Sequence, residues 1–226
     1  MKIKIPQTDL EITITKGNKK PIPAIVWIAN MQSSTDCISR KLDMCEIGED
    51  CYGLAFEENP IMYKTVECRR NDEEAMDYMV QNHMSTFFAE ELVRRDKLSR
   101  SHHLKYLRWN ATGDCKTLQH LLFADEVADI LHEEIGAIST IYTHRKDLWE
   151  QFKDIRQSEW LIVNGSNFMA DNNFTAVTEF NDENDTCSSN CVQCFNEGKY
   201  YCYNINRKGR VIEEKFRPRN KKKGDD

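Results

Sequence analysis

The chain has 226 residues, of which 40% are hydrophobic, and a formal net charge of −6. That is enough to bury a real core, and no apolar run approaches the length of a membrane span, so a soluble globular protein with no membrane partner is expected. Nine cysteines follow an opening Met1–Asp9 that has neither an apolar core nor a small-residue cleavage site. Metal ligation in a cytoplasmic protein is therefore expected rather than a secreted disulfide framework.

In chain order, residues 3–14 alternate weakly and read as a hairpin around Pro6–Asp9. Ala24–Ile28 is a short apolar run and a predicted buried strand. Residues 32–60 are loop-like and rich in cysteine, acid and glycine. Residues 71–97 carry one long helical pattern, with Asn71 or Asp72 as cap and acidic residues at its start. Leu104–Trp109 predicts a strand, and Lys116–Ile135 a helix ended near Gly136. Ile138–Tyr142 predicts a strand, Lys146–Arg156 a helix, Trp160–Val163 a strand and Thr175–Phe180 a last strand.

Strands alternating with helices are the rhythm of parallel βα units. No G-x-G-x-x-G follows a strand, so a dinucleotide-binding sheet has no support. Polar clusters follow three strands instead: Asn110–Asp114, Thr143–Arg145 and Asn164–Asn167. In a barrel such positions gather at the carboxyl face. The expected fold is α/β, a reduced or distorted (β/α) TIM-like barrel over residues 1–180, because the chain is short for eight complete units. A cysteine metal-binding knuckle over 181–206 and a basic tail over 207–226 complete the division.

The knuckle is the strongest local signal. Cys187, Cys191, Cys194 and Cys202 lie at C-x3-C-x2-C-x7-C, with Gly198 inside the last arm. Four thiolates at such spacing suit a tetrahedral metal, zinc first and an iron–sulfur cluster second, with disulfides or unligated thiols as the third reading. The tail after it holds nine basic residues against four acidic ones, leaving 22 basic and 33 acidic side chains in the first 206 residues. Arg207, Lys208, Arg210, Lys215, Arg217 and Arg219 are candidates for gripping nucleic-acid phosphates; a solvated terminus is the plainer alternative.

Three further groups could carry chemistry. In W-N-A-T-G-D-C, a strand runs into Gly113-Asp114 before a helix, presenting Asp114 at the strand end or using it as the helix cap. In residues 35–52, Cys37, Cys45 and Cys51 lie beside Asp36, Asp43 and Asp50. They read as a second metal set or as small buried thiols, with Asp36 as a candidate acid or nucleophile. In I-Y-T-H-R-K-D, His144 could carry protons and Arg145 clamp a phosphate, or both could sit in an ordinary turn. There is no P-loop, G-x-S-x-G or H-E-x-x-H, so the simplest ATPase, serine-hydrolase and zinc-protease readings lack their signatures.

The order of these parts resembles small tailed-phage proteins of the gene-product-88-like family. The likeness rests on the front cysteines ending in Cys51-Tyr52, the Gly113-Asp114 turn, Tyr142–Arg145, and the closing knuckle with Phe195. Such proteins are similar to reduced members of the tRNA-guanine transglycosylase superfamily, whose phage representatives are linked to placing 7-deazaguanine in DNA. The resemblance implies a zinc-braced βα-barrel and a DNA guanine transglycosylase. That enzyme would take double-stranded DNA and a preQ0-type base, and would work in a host cytoplasm if phage-encoded. It implies a carboxylate that traps the sugar carbon and an acid that protonates the departing guanine. Asp36 and Asp114 are the expected pair. Trp109, Asn110, Gly113, His144, Arg145 and Asn164 are expected to line the base and substrate site, since the nucleotide must leave the stack. This sequence departs from the larger enzymes in its length, its all-cysteine metal set and the surroundings of the nucleophile. An iron–sulfur or radical-type enzyme and a non-catalytic zinc nucleic-acid-binding module are the alternatives.

Overall fold

A computed structural model describes residues 1–16, 26–100, 103–177, 193–196 and 201–205. The chain opens with a hairpin of β1 (Lys2–Lys4) and β2 (Glu11–Thr13), in which Ile3 faces Ile12. Thr8 makes the turn by donating its hydroxyl to Ile5 O at 3.1 Å and accepting from Leu10 N at 3.1 Å. Ile3, Ile5, Ile12 and Ile14 are all buried. Their cover is α3, described below.

The main sheet has the order β3 (Thr15–Lys16), β4 (Val26–Ala29), β5 (Tyr106–Trp109), β6 (Ile138–Thr143), β7 (Leu161–Ser166), β8 (Asn172–Val177) and β9 (Tyr201–Ile205). β3 pairs antiparallel with β4; every later pair is parallel. In a strictly sequential parallel sheet, crossovers of one hand place the connecting helices on one face. The α/β class is therefore as expected. Among the described residues the sheet is an open run from β3 to β9, with no pairing between its edges.

Between β4 and β5 lie α1 (Ile38–Lys41), α2 (Tyr52–Glu57), α3 (Tyr63–Gln81) and α4 (Ser85–Lys97). The single helix expected over 71–97 is thus two. Asn82-His83-Met84 breaks it: His83 takes φ 53°, a left-handed value that His and Asn tolerate better than most residues, and Asn82 Nδ2 donates to Tyr78 O at 2.8 Å. The cap expected at Asn71 or Asp72 is in fact helix interior. α5 (Leu118–Ile135) ends where Gly136 takes φ 66°, as its sequence predicted, and α6 (Lys146–Phe152) leads to β7.

The core lies between the helices and one sheet face. Trp109 is fully buried there, its ring 5.8 Å from Phe88 and 6.3 Å from Phe123. Leu107, Ile141, Leu161 and Val163 share this face by strand alternation and are equally buried.

The opposite face carries Tyr106, Arg108, Thr140, Tyr142, Asn164 and Asn172, aligned by the parallel register. A short turn at Gln193–Phe195 sits on it. Phe195 packs its ring 4.3 Å from Tyr106. Thr140 Oγ1 and Asn164 Nδ2 donate to Cys194 O at 2.7 and 3.0 Å, and Asn172 Nδ2 donates to Asn196 O at 2.9 Å. Buried amides need such partners, so this polar row is a docking strip for the 193–196 segment. The 193–196 turn thus rests on the sheet to which β9 also belongs. β8 starts earlier than expected. It follows β7 after five residues without a helix, with Asn164 opposite Asn172.

Asp72, on α3, accepts from Thr13 N at 2.6 Å and so ties the hairpin to the body. Burial pushes its carboxyl up to about 6, despite hydrogen bonds from Thr13 and Asn30 that favour the ionised form. A carboxyl raised in the fold contributes stability that is complete below its ordinary value of 3.8 and lost as pH rises through about 6. Asp72→Asn should therefore stabilise the protein by about 2 kcal/mol near neutral pH and change little near pH ~4, as read by thermal unfolding at the two pH values.

Candidate functional site

The carboxyl ends of β4, β5 and β6 face one region, and the loops that leave them pack together. Gly113 takes φ 81°, and a Cβ there would lie 2.6 Å from Gln32 O, so only glycine lets the β5 loop meet the β4 loop. Asn110 (φ 60°) turns the chain and accepts Met31 N at 2.6 Å through Oδ1. Both residues shape the backbone, and Asn110 Nδ2 is left buried without a hydrogen-bond partner among the described residues.

Asp114 is 1% exposed. Its Oδ2 accepts the Ser39 hydroxyl at 2.6 Å and His144 N at 2.8 Å, and its Oδ1 accepts Cys115 N at 2.6 Å. Three donors on one carboxylate leave it a poor nucleophile. It anchors α1, the start of the β5–α5 connection and the β6 loop to one another. His144 Nδ1 lies 3.7 Å from Asp114 Oδ2, an ion-pair distance, while His144 Nε2 is 3.5 Å from Cys45 Sγ. Cys45, His144 and Asp114 thus form one line from a half-buried thiol to a buried carboxylate.

The charges follow from this line. Burial works against the imidazolium, yet Asp114 and Cys45 outweigh it and raise His144 to about 9. Burial likewise works against the Cys45 thiolate, but His144 and the backbone amides of Gly48 and Ile47 leave that thiol below its ordinary value. The neighbouring cysteines behave oppositely. Burial raises Cys37 to about 11 and also raises Cys51 and Cys115.

Asp36 is close in sequence but differently placed. It accepts Ser33 Oγ at 3.1 Å, pairs with Lys41 Nζ at 3.1 Å and lies 3.6 Å from Arg70 Nε. Burial raises its carboxyl, and these partners overcome that and keep it below the usual range. Its hydrogen-bonding and ionic partners are distinct from those of Asp114, and no direct contact joins the two aspartates among the described residues. Beneath them, Glu57 Oε1 takes Arg69 NH1 at 2.6 Å, and Arg69 reaches Thr112 Oγ1 at 2.8 Å. Thr35 N donates to Glu57 Oε2 at 2.9 Å. This buried pair fastens α2 and α3 under both loops.

Several expected lining residues have other work. Trp109 is core and cannot line a base pocket. Arg145 is not a free phosphate clamp: it is 6% exposed, donates to Cys115 O and Lys116 O at 3.3 and 2.9 Å, and pairs with Asp147 at 2.7 Å. Asn164 lies on the other sheet face, under Cys194. The pairing of Cys45 with His144 is the contact that sequence reasoning missed: the two lie 99 positions apart, and the C-x7-C-x5-C spacing, read as a metal set or as buried thiols, gives no sign of it.

No group of three histidine, cysteine or acidic side chains is placed to hold a metal among the described residues. Of the knuckle, Cys194 is half-buried and Cys202 lies in β9 opposite Phe174. Cys187, Cys191 and the basic tail, with Arg207, Lys208, Arg210, Lys215, Arg217 and Arg219, lie outside the described residues. No helix is long and apolar enough to cross a membrane among the described residues. The chain matches no family model, and no curated protein or solved structure matches it either.

Proposed function

We propose that the loops at the carboxyl edge of β4–β6 form an enzyme centre for guanine exchange in DNA, on an incomplete βα-barrel. The observation that carries the reading is convergence. The front cysteine stretch, the Gly113-Asp114 turn and Tyr142–Arg145, far apart in sequence, meet at His144. These are the segments on which the family resemblance rests.

The roles follow from the charges. Asp36 is held in its ionised form and is half-buried; it is the carboxylate assigned to attack the sugar carbon C1′, and Lys41 and Arg70, which pair with it here, must release it when substrate binds. His144, rather than Asp114, is the acid: it holds a proton at neutral pH and can pass it to the departing guanine, then recover it from the incoming base. Asp114 positions His144. The donor set Cys187, Cys191, Cys194 and Cys202 suits zinc, which would cross-link the chain around the 193–196 segment and serve as a brace. The basic tail would hold the DNA backbone.

The test is release of labelled guanine from double-stranded DNA in the presence of a 7-deazaguanine base. The parent chain should exchange, and Asp36→Ala should reduce the rate by about 10³-fold or more. Exchange that survives Asp36→Ala would remove the assigned nucleophile. No release by the parent would remove the reaction.

A further inference from the structure

We propose that Cys45, His144 and Asp114 form a second covalent centre in which Cys45 is the nucleophile toward acyl carbon. The inference shares its location with the base-exchange reading but does not depend on that reaction.

The geometry is that of a nucleophile, a proton carrier and an orienting carboxylate in line. Sγ to Nε2 is 3.5 Å and Nδ1 to Oδ2 is 3.7 Å, separations at which such groups stand before substrate tightens them. The same functional line recurs on unrelated folds and is recognised by geometry, not by order in sequence. His144 is fixed from two sides, through its own backbone N–H on Asp114 and through β6 beneath it. Asp114 is fixed in turn by Ser39 and Cys115. Neither Cys45 nor His144 is sealed in the core: the thiol is half-buried and the imidazole side chain is 21% exposed. The lowered thiol and raised imidazole agree with a thiolate–imidazolium pair.

The step balances without a cofactor. The Sγ–carbon bond forms, the bond from the acyl carbon to the leaving oxygen or nitrogen breaks, and His144 gives its proton to the leaving atom. Water then adds to the thioester, the carbon–sulfur bond breaks, and the proton returns to His144. The substrate class is an ester or amide carbonyl.

The chain supplies its own controls in Cys37, Cys51 and Cys115. In the full-length protein at slightly acidic pH, a pulse of iodoacetamide read by cysteine-resolved mass spectrometry should alkylate Cys45 about 10-fold or more faster than Cys37 or Cys51. His144→Gln should remove that advantage. With p-nitrophenyl acetate, the parent should give a burst of p-nitrophenolate and an acetyl group on Cys45, and Cys45→Ser should give neither. Thermal unfolding of both variants confirms that they fold. Equal labelling of the three cysteines, a burst that survives Cys45→Ser, or a stoichiometric metal that shields Cys45 until chelated would each overturn the proposal. Acylation at Cys45 without guanine release would retain it and remove base exchange; guanine release with an inert Cys45 would do the reverse.

Discussion

Replacing Asp114 by asparagine is expected to lower both guanine release and acyl release by about 10³-fold or more, while the chain still folds. The carboxylate accepts from Ser39 Oγ, Cys115 N and His144 N, and it faces the His144 ring. An amide keeps one oxygen but puts an N–H₂ group where a second acceptor stood, so at least one backbone N–H loses its partner and the imidazolium loses its counter-charge. The change also has a pH signature. His144 is raised from 6.5 to about 9, so its contribution to stability is complete below pH 6.5 and is lost as pH rises through about 9. The parent should lose stability across that window, and Asp114→Asn should flatten the loss. Denaturant titrations at three pH values would show it. An unchanged slope between the two proteins would mean that Asp114 does not hold the imidazolium.

The second large effect is at Arg69. Its partner Glu57 has a fully buried side chain, and Arg69 itself is 13% exposed. Arg69→Met strands a carboxylate that burial alone would push up and that Arg69 and the Thr35 and Ser34 amides hold down. The expected cost is about 3–5 kcal/mol, because breaking a buried pair from one side leaves an uncompensated charge. A chain of this size should lose roughly 10 °C or more of thermal stability. The double variant Glu57→Gln with Arg69→Met should recover most of the loss, since it removes the charge as well as its partner. A double variant as unstable as the single one would show that Arg69 acts through its contact with Thr112 or the Phe56 ring instead.

The parallel sheet was legible in the sequence because its central strands are short apolar runs separated by helical patterns. Residues 104–109, 138–142 and 160–163 needed only small shifts of their ends. β8 escaped at its start because Asn172 and Asn173 look like loop residues; the Asn172 amide is satisfied by Asn164 and by docking of Asn196, which periodicity does not encode. β9 escaped because the cysteines around it dominate local composition. The α3–α4 break was illegible for a related reason: nothing in Asn82-His83-Met84 is a strong breaker, and the turn depends on one left-handed histidine. At the site, the Gly-Asp turn and the Tyr-Thr-His-Arg segment announced themselves, but their roles did not. Trp109 sits one residue from the polar turn, and only strand alternation decides that its ring enters the core. Asp114 and Arg145 were each open between a functional and a structural reading, because a sequence does not show which backbone carbonyls and amides will claim a charge.

The 193–196 segment has a bearing on how the protein is made. Tyr106, Thr140, Asn164 and Asn172 leave the ribosome well before the residues that cap them. Until the last part of the chain is synthesised, this polar row lacks the carbonyls of Cys194 and Asn196, and Tyr106 lacks the Phe195 ring. Translation that stops near residue 180 would yield a chain whose helical side can assemble but whose polar row lacks these partners, a natural client for chaperones and proteases.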